Sequence, residues 1–334
     1  MRVLLTKDLQ AQDLAYIKAR VAPEVTIIRP AGFSPSQLVA AVGEADIVLG
    51  AYFSEELLRA ATRVRFFQIP WNGIDTVDLD LLRRHGATVC NSHSNAQVVA
   101  EHAVALMLDV AKKIAFHDRG MRRGDWNRLS DAVTPALSPF SKRIAGSHVA
   151  FIGFGEIARQ IQRCLSGFAC RFSAFTRTGR IPADLVDAVQ AATIAQFHQR
   201  AVDVDFLFIA APLTGDTRGL VDTTLLQVLP PDAILINVSR GPIVEPGDLF
   251  RALTTGRLAG AGIDAWYDYP SAAEPMMPPC RAFPFHTLDN VVLSPHRAGY
   301  VTDGFPHLDD AIENLNRAVR GDPPLHIISY EHAY

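Results

Sequence analysis

Residues 148–158 read His-Val-Ala-Phe-Ile-Gly-Phe-Gly-Glu-Ile-Ala, an apolar run that ends in Gly-x-Gly-x-x-Ala and then turns helical. A mononucleotide-binding strand-turn-helix reads this way in sequence, although Gly-rich turns are common and the two glycines alone also read as a plain tight turn. Gly153 lets the chain turn sharply after the strand, Gly155 has no side chain to hold a pyrophosphate off the backbone, and Ala158 lets the helix lie close on the strand. The helix that follows carries Ile157, Ile161 and Leu165 on one face and points its N-terminal amides at the phosphates. Gly153, Phe154, Gly155, Glu156 and Ile157 are therefore the expected phosphate-side residues of a dinucleotide site.

The rest of the chain alternates strand and helix. Strands are expected at Val3 to Leu5, Val25 to Ile28, Asp46 to Gly50, Val64 to Ile69 and Thr88 to Cys90. Between them fall helices at Leu9 to Ala19, at Ser36 to Val42 after Pro35, after Ser54 as N-cap, and at Asp78 to Arg84 before Gly86. A long helix is expected from Ala96 to Phe116, then an irregular basic stretch from about Arg119 to Arg143. Beyond the nucleotide turn, strands are expected at Phe172 to Phe175, Phe206 to Ala210, Ile234 to Val238 and, last, Val291 to Leu293, with a final helix through Ala311 to Val319. This spacing predicts an α/β chain with parallel sheets covered on both faces, and 334 residues suffice for two such domains.

Charge and cysteine content narrow the function classes. A net charge of −3 gives no reason to expect nucleic acid, and the cluster Arg119, Arg122, Arg123 and Arg128 beside Trp126 reads as a solvated or subunit-facing surface. Four scattered cysteines without a Cys-x-x-Cys suggest neither a disulfide framework nor a zinc ribbon, which fits a reducing, cytoplasmic setting. No apolar run is long enough for a membrane span, no metal site is expected, and the motifs of serine hydrolases, zincins and P-loop proteins are missing.

The residue closing the second strand of a dinucleotide fold decides how the adenosine ribose is held. Here the strand runs into Thr176-Arg177-Thr178-Gly179-Arg180, with no carboxylate to bond a 2′-hydroxyl and two guanidinium groups to hold a 2′-phosphate. This favours NADP(H) and leaves NAD(H) open, since both arginines also read as surface charges, with Arg177 stacked on adenine.

Further segments resemble the D-isomer-specific 2-hydroxyacid dehydrogenases. They are Asn72-Gly73-Ile74-Asp75, the run Asn95 to His102, Pro212-Leu213-Thr214 with Thr217, Asn237-Val238-Ser239-Arg240-Gly241, Gly262-Ile263-Asp264 and Asp289 to His296. The resemblance implies a Rossmann cofactor domain, residues 99–298, inserted into a flavodoxin-like substrate domain, residues 1–98 and 299–334, both doubly wound around parallel sheets. It implies hydride transfer between a nicotinamide and a 2-oxo or 2-hydroxy acid such as glyoxylate or hydroxypyruvate, in a homodimer. His296 would be the acid and base, and Arg240 the clamp for carboxylate and carbonyl. Trp71, Asn72, Gly73, Ile74 and Asn95 would meet the substrate, Ala211, Pro212, Thr217, Val238, Ser239 and Gly299 would line the cofactor, and Asp264 would bond its nicotinamide carboxamide.

The chain departs from the family in one place. Where relatives carry a Glu that supports the catalytic His, this chain runs Asp264-Ala265-Trp266-Tyr267-Asp268-Tyr269-Pro270, setting Tyr269 in the Glu position. A phenol gives imidazolium no Coulombic support, so the expected enzyme reduces 2-oxo acids with a less basic His296, unless Asp268 swings in. Two alternatives are oxidation of the formate-dehydrogenase kind, in which the His partner is uncharged, and a non-catalytic cofactor-sensing protein.

Overall fold

The computed structural model describes residues 1–126 and 141–330. The chain divides into two compact units, Met1–Asn95 with Gly299–Tyr334, and Ala96–Ala298.

In the first unit, β1 (Arg2–Leu5), β2 (Thr26–Ile28), β3 (Ile47–Leu49), β4 (Phe66–Gln68) and β5 (Val89–Cys90) form a parallel sheet in the order β2-β1-β3-β4-β5. Each strand is short, and those in the middle are buried throughout, as expected of a sheet covered on both faces. The C-terminal helix Asp309–Arg320 joins this unit through Ile312 and Leu315, which pack with Val3, Leu5 and Phe66. A buried amide pair fixes its register, with Asn314 Nδ2 donating to Gln68 Oε1 at 2.6 Å.

The second unit carries β6 (His148–Ile152), β7 (Arg171–Thr176), β8 (Val189–Thr193), β9 (Phe206–Ile209), β10 (Ile234–Asn237), β11 (Gly260–Ile263) and β12 (Val291–Leu293). All pairs are parallel, in the order β12-β11-β10-β9-β6-β7-β8. Chain direction across the sheet reverses between β6 and β9, which is where open parallel sheets bind ligands, at the carboxyl ends of the strands. Phe151, Phe206 and Phe208 are fully buried on these central strands. At the opposite end of the sheet, buried His148 joins Ser173 (Nε2 to Oγ, 2.7 Å) and Asp203 (Nδ1 to Oδ1, 2.9 Å), tying the starts of β6 and β7 to the chain entering β9.

Three expectations need correction. The long helix does not reach Phe116 unbroken: Ala96–Lys112 ends, Lys113 takes φ +55°, and a second helix runs Ile114–Arg122. Asp109 Oδ1 accepts from the Ala115 amide at 2.7 Å, capping the new start, and Ile114 is 58% exposed rather than continuing the apolar face. Arg119, where the irregular basic stretch was expected to start, is consequently helical. In addition, β8 and β11 are strands that the apolar patterning misses. Of the basic cluster, Arg119 pairs with Asp289 and Arg122 with Asp118, while Arg128 lies outside the described residues. No helix among the described residues is long and apolar enough to cross a membrane.

Candidate active site

The turn after β6 has the shape its glycines call for. Gly153 sits at φ +83°, and a Cβ there would stand 2.7 Å from the backbone of Ala211, so both conformation and space demand glycine. A Cβ on Gly155 would meet nothing within 4 Å, leaving open space over the turn. The helix Glu156–Leu165 begins at Gly155 without a side-chain cap, so its first amides have no side-chain acceptor at the N-cap. That is the geometry a pyrophosphate needs, and a dinucleotide fits the residues present. Phe154 turns edge-on to Phe151 and Ile157 packs on the core, so both would meet a cofactor through backbone. Glu156 Oε1 accepts from Arg159 Nη1 at 2.7 Å, which partly neutralises a carboxylate at the phosphate end.

At the end of β7 the chain turns back, with Gly179 at φ +69° and Thr176 Oγ1 donating to Arg180 O at 3.2 Å. Arg177, Thr178 and Arg180 are exposed on this turn, and no carboxylate among the described residues pairs with either guanidinium.

The loops after β9, β10, β11 and β12 are stitched together. Thr217 Oγ1 donates to Pro212 O at 2.6 Å and accepts from Thr214 N at 2.8 Å, closing the turn after β9. Ser239 Oγ donates to Ala211 O, joining that turn to the loop after β10. Asn237, last in β10, accepts from Ser239 N and donates to Arg240 O, both at 3.0 Å, and so sets the course of the backbone that carries Arg240. The Arg240 guanidinium donates through Nη1 to Ser239 O at 2.8 Å. Val238, expected to line the cofactor, has its side chain in the core. Trp266 Nε1 donates to Ser294 O at 2.8 Å and links the last two loops.

His296 occupies the loop after β12 at φ +56°, a left-handed conformation that costs a side-chain-bearing residue about 1–2 kcal/mol. Asp264 holds that loop in place. Its carboxylate is 1% exposed; Oδ1 accepts from Ser294 Oγ and from Arg297 N at 2.8 Å, and Oδ2 accepts from Ala298 N at 3.0 Å. Sequence reasoning assigns Asp264 to the nicotinamide; here its oxygens hold the residues flanking His296. His102 joins this network through Nε2, 2.9 Å from Ser294 Oγ.

Tyr269 reaches His296, its Oη lying 2.8 Å from Nδ1. The rings do not stack, since their planes meet at 49° with centroids 5.4 Å apart. Trp266 N donates to the same phenol oxygen at 3.0 Å. Asp268 does not swing in: its Oδ2 accepts from Arg281 N at 2.8 Å and serves the proline-rich segment instead. Trp266 and Asn237 are therefore site residues whose roles the sequence reading missed; both lie inside or beside quoted motifs, but neither type signals a backbone contact.

The remaining expected residues belong to the first unit. Trp71 has Lys7 Nζ 5.0 Å from its ring centroid, Asn72 O accepts from Asn91 Nδ2 at 2.8 Å, and the Ile74 side chain is in the core. Gly73 lies within the same loop, at the carboxyl end of β4. Asn95 Nδ2 stands 3.0 Å from where a Cβ on Gly299 would begin.

A family model described as "D-isomer specific 2-hydroxyacid dehydrogenase, NAD binding domain" matches residues 104–298. A glyoxylate reductase from Pyrococcus furiosus is 28% identical over 286 residues, 85% of this chain and 81% of that protein. A glyoxylate/hydroxypyruvate reductase A from Arabidopsis thaliana is 30% identical over 229 residues, 67% of this chain and 65% of its own length. Among solved structures, a 2-hydroxyacid dehydrogenase from Ketogulonicigenium vulgare superposes with a TM-score of 0.77 at 25% identity, covering 98% of both chains.

Proposed function

The chain belongs to the D-isomer specific 2-hydroxyacid dehydrogenase family, an NAD(P)-dependent enzyme class, and from that premise we propose that it reduces a small 2-oxo acid of the glyoxylate or hydroxypyruvate type. The observation that carries this reading is the hydrogen-bonded pair Tyr269–His296 on a loop pinned by Asp264, in the same unit as Arg240 and the glycine turn.

The Gly153–Ile157 turn would hold the pyrophosphate of a nicotinamide cofactor, which would supply or accept the hydride. Arg240 offers a planar, permanently charged fork that can engage carboxylate and carbonyl oxygens together, and Asn237 keeps its backbone from drifting. His296, protonated, releases a proton from Nε2 to the oxygen that becomes the hydroxyl. Tyr269 gives the imidazolium less support than a carboxylate would, so reduction declines at a lower pH than in a Tyr269→Glu protein. The family resemblance assigns the Trp71–Ile74 loop and Asn95, both in the first unit, to substrate binding.

NADP(H) is the proposed cofactor, supported by the exposed Arg177 and Arg180 on the turn after β7. A homodimer is part of the same proposal; exposed Met121 and Trp126 are the apolar residues that support it. The test is a matrix of NADH and NADPH against glyoxylate, hydroxypyruvate, pyruvate and phenylpyruvate, followed at the nicotinamide absorbance. Turnover is expected with glyoxylate or hydroxypyruvate, and Arg177→Ala is expected to raise the KM for NADPH about tenfold while leaving that for NADH unchanged. Tight cofactor binding without turnover of any oxo acid would sink the reading.

A further inference from the structure

Helix Ala96–Lys112 lies so close to β11 that a Cβ on Gly260 would stand 2.7 Å from Val110 Cγ1, and one on Gly262 2.9 Å from Leu106 Cβ. Four helical residues rise about 6 Å and two strand residues about 6.6 Å, so helix and strand run in opposite directions with one helical turn for each glycine. The next turn of the helix carries His102, and the same step along the chain from Gly262 arrives at Asp264. His102 Nε2 accordingly stands 3.7 Å from Asp264 Oδ1 and 2.9 Å from Ser294 Oγ. A carboxylate only accepts, so the Ser294 hydroxyl proton goes to Asp264, and a bare Nε2 would set its lone pair against two oxygens. Nε2 therefore carries a hydrogen and donates it to Ser294 Oγ. We propose that His102 is a positioning residue for catalysis, fixing from the helix the Ser294–Asp264 pair that holds the loop of His296. This rests on the reading of His296 as the group that meets the substrate oxygen.

The backbone of Ser294 is already fixed, its N donating to Ile263 O at 2.9 Å and its O accepting from Trp266 Nε1 at 2.8 Å. What remains free is the rotation of a buried hydroxyl, and a donor on one side with an acceptor on the other leaves it a single setting. That setting in turn fixes the Asp264 carboxylate, which accepts from Arg297 N and Ala298 N, the two amides that follow His296. A carboxylate turned away would release both amides and let the left-handed backbone at His296 relax. The far end of the chain of bonds is rigid, since Ala100, Ala103, Leu106 and Met107 are buried around His102 on the same helix. His102 thus acts through Ser294 and Asp264, and the close approach that Gly260 and Gly262 permit is what brings it there.

The test is a double-mutant cycle read by backbone amide exchange in the unliganded protein, with steady-state kinetics as a second readout. His102→Leu and Ser294→Ala are each expected to speed exchange at Arg297 and Ala298 about tenfold, with Val149 to Phe151 in β6 unchanged. The two together are expected to do no more than either alone, because both cut the same link. His102→Gln, whose side-chain amide donates from nearly the same place, is expected to stay within about threefold of the unsubstituted protein. With NADPH and glyoxylate, kcat is expected to fall about five- to tenfold in His102→Leu and to recover in His102→Gln, the KM for NADPH being unchanged in both. Exchange within about twofold of the unsubstituted protein in either single variant, additive effects in the double variant, or a glutamine that behaves as the leucine does would overturn the proposal. So would an undiminished kcat in an active His102→Leu enzyme. The exchange readout uses no substrate, so a protein with the expected exchange pattern that reduces no oxo acid counts against the proposed reaction alone.

Discussion

Asp264→Asn is the substitution that most directly probes how the His296 loop is held. It keeps the size of the side chain and turns one acceptor into a donor. The Oδ1 position receives two bonds and Oδ2 one, so the least costly orientation keeps oxygen toward Ser294 and Arg297 and sets the amide against Ala298 N, 3.0 Å away. Losing one charge-assisted bond while stranding a buried amide costs about 2–3 kcal/mol. The two bonds that remain fall to neutral strength, about 1 kcal/mol more. The left-handed backbone of His296 favours release by about 1–2 kcal/mol in both proteins and so leaves the difference unchanged. The loop should therefore open about 100- to 1000-fold more often, read as faster amide exchange at Arg297 and Ala298. We expect kcat to fall at least about tenfold, because His296 and Tyr269 no longer share one geometry. Amide exchange and kcat both within about twofold of the unsubstituted enzyme would refute the argument. An increase in cofactor KM with exchange unchanged would instead return Asp264 to the nicotinamide contact suggested by the family resemblance.

Three further outcomes are expected. Gly241→Ala places a Cβ 2.3 Å from the Trp266 carbonyl oxygen inside the core, where backbone must move, and should lower the melting temperature by about 4–10 °C in calorimetry. Arg240→Lys keeps the charge but loses the fork, and kcat/KM for glyoxylate should drop about 100-fold in steady-state assays, with melting temperature unchanged. His307, in the first unit, has its pKa lowered below 6.5 mainly by burial. The unfolded chain therefore takes up that proton first as pH falls, so the urea midpoint should decline below about pH 6.5, and His307→Gln should flatten the decline.

The cofactor half of the site was the more legible in sequence, because what it requires is local. A positive φ at Gly153, an open space over Gly155 and an uncapped helix start are properties of consecutive residues, and residue types report them directly. Strand β11 escaped notice for a physical reason of the same kind seen from the other side. A Cβ on Gly260 or Gly262 would stand 2.7 Å from Val110 Cγ1 or 2.9 Å from Leu106 Cβ, so the helix Ala96–Lys112 lies against a strand that has given up the bulky residues by which strands are recognised. The break at Lys113 was hidden because apolar residues continue past it with helical spacing, although the backbone and the Asp109 cap end the first helix there.

By itself, the sequence determined the alternation of strands and helices, the dinucleotide turn, the family, and the presence of Arg240, Tyr269 and His296. These depend on residue type and short spacing, which survive in one dimension. Only the tertiary structure decided that Tyr269 rather than Asp268 meets His296, that an amide of Trp266 directs the phenol, and that Asp264 braces the loop from 30 or more positions away. Such contacts join the ends of separate parallel strands, and which strand ends become neighbours is settled by sheet order and packing rather than by any neighbouring residue.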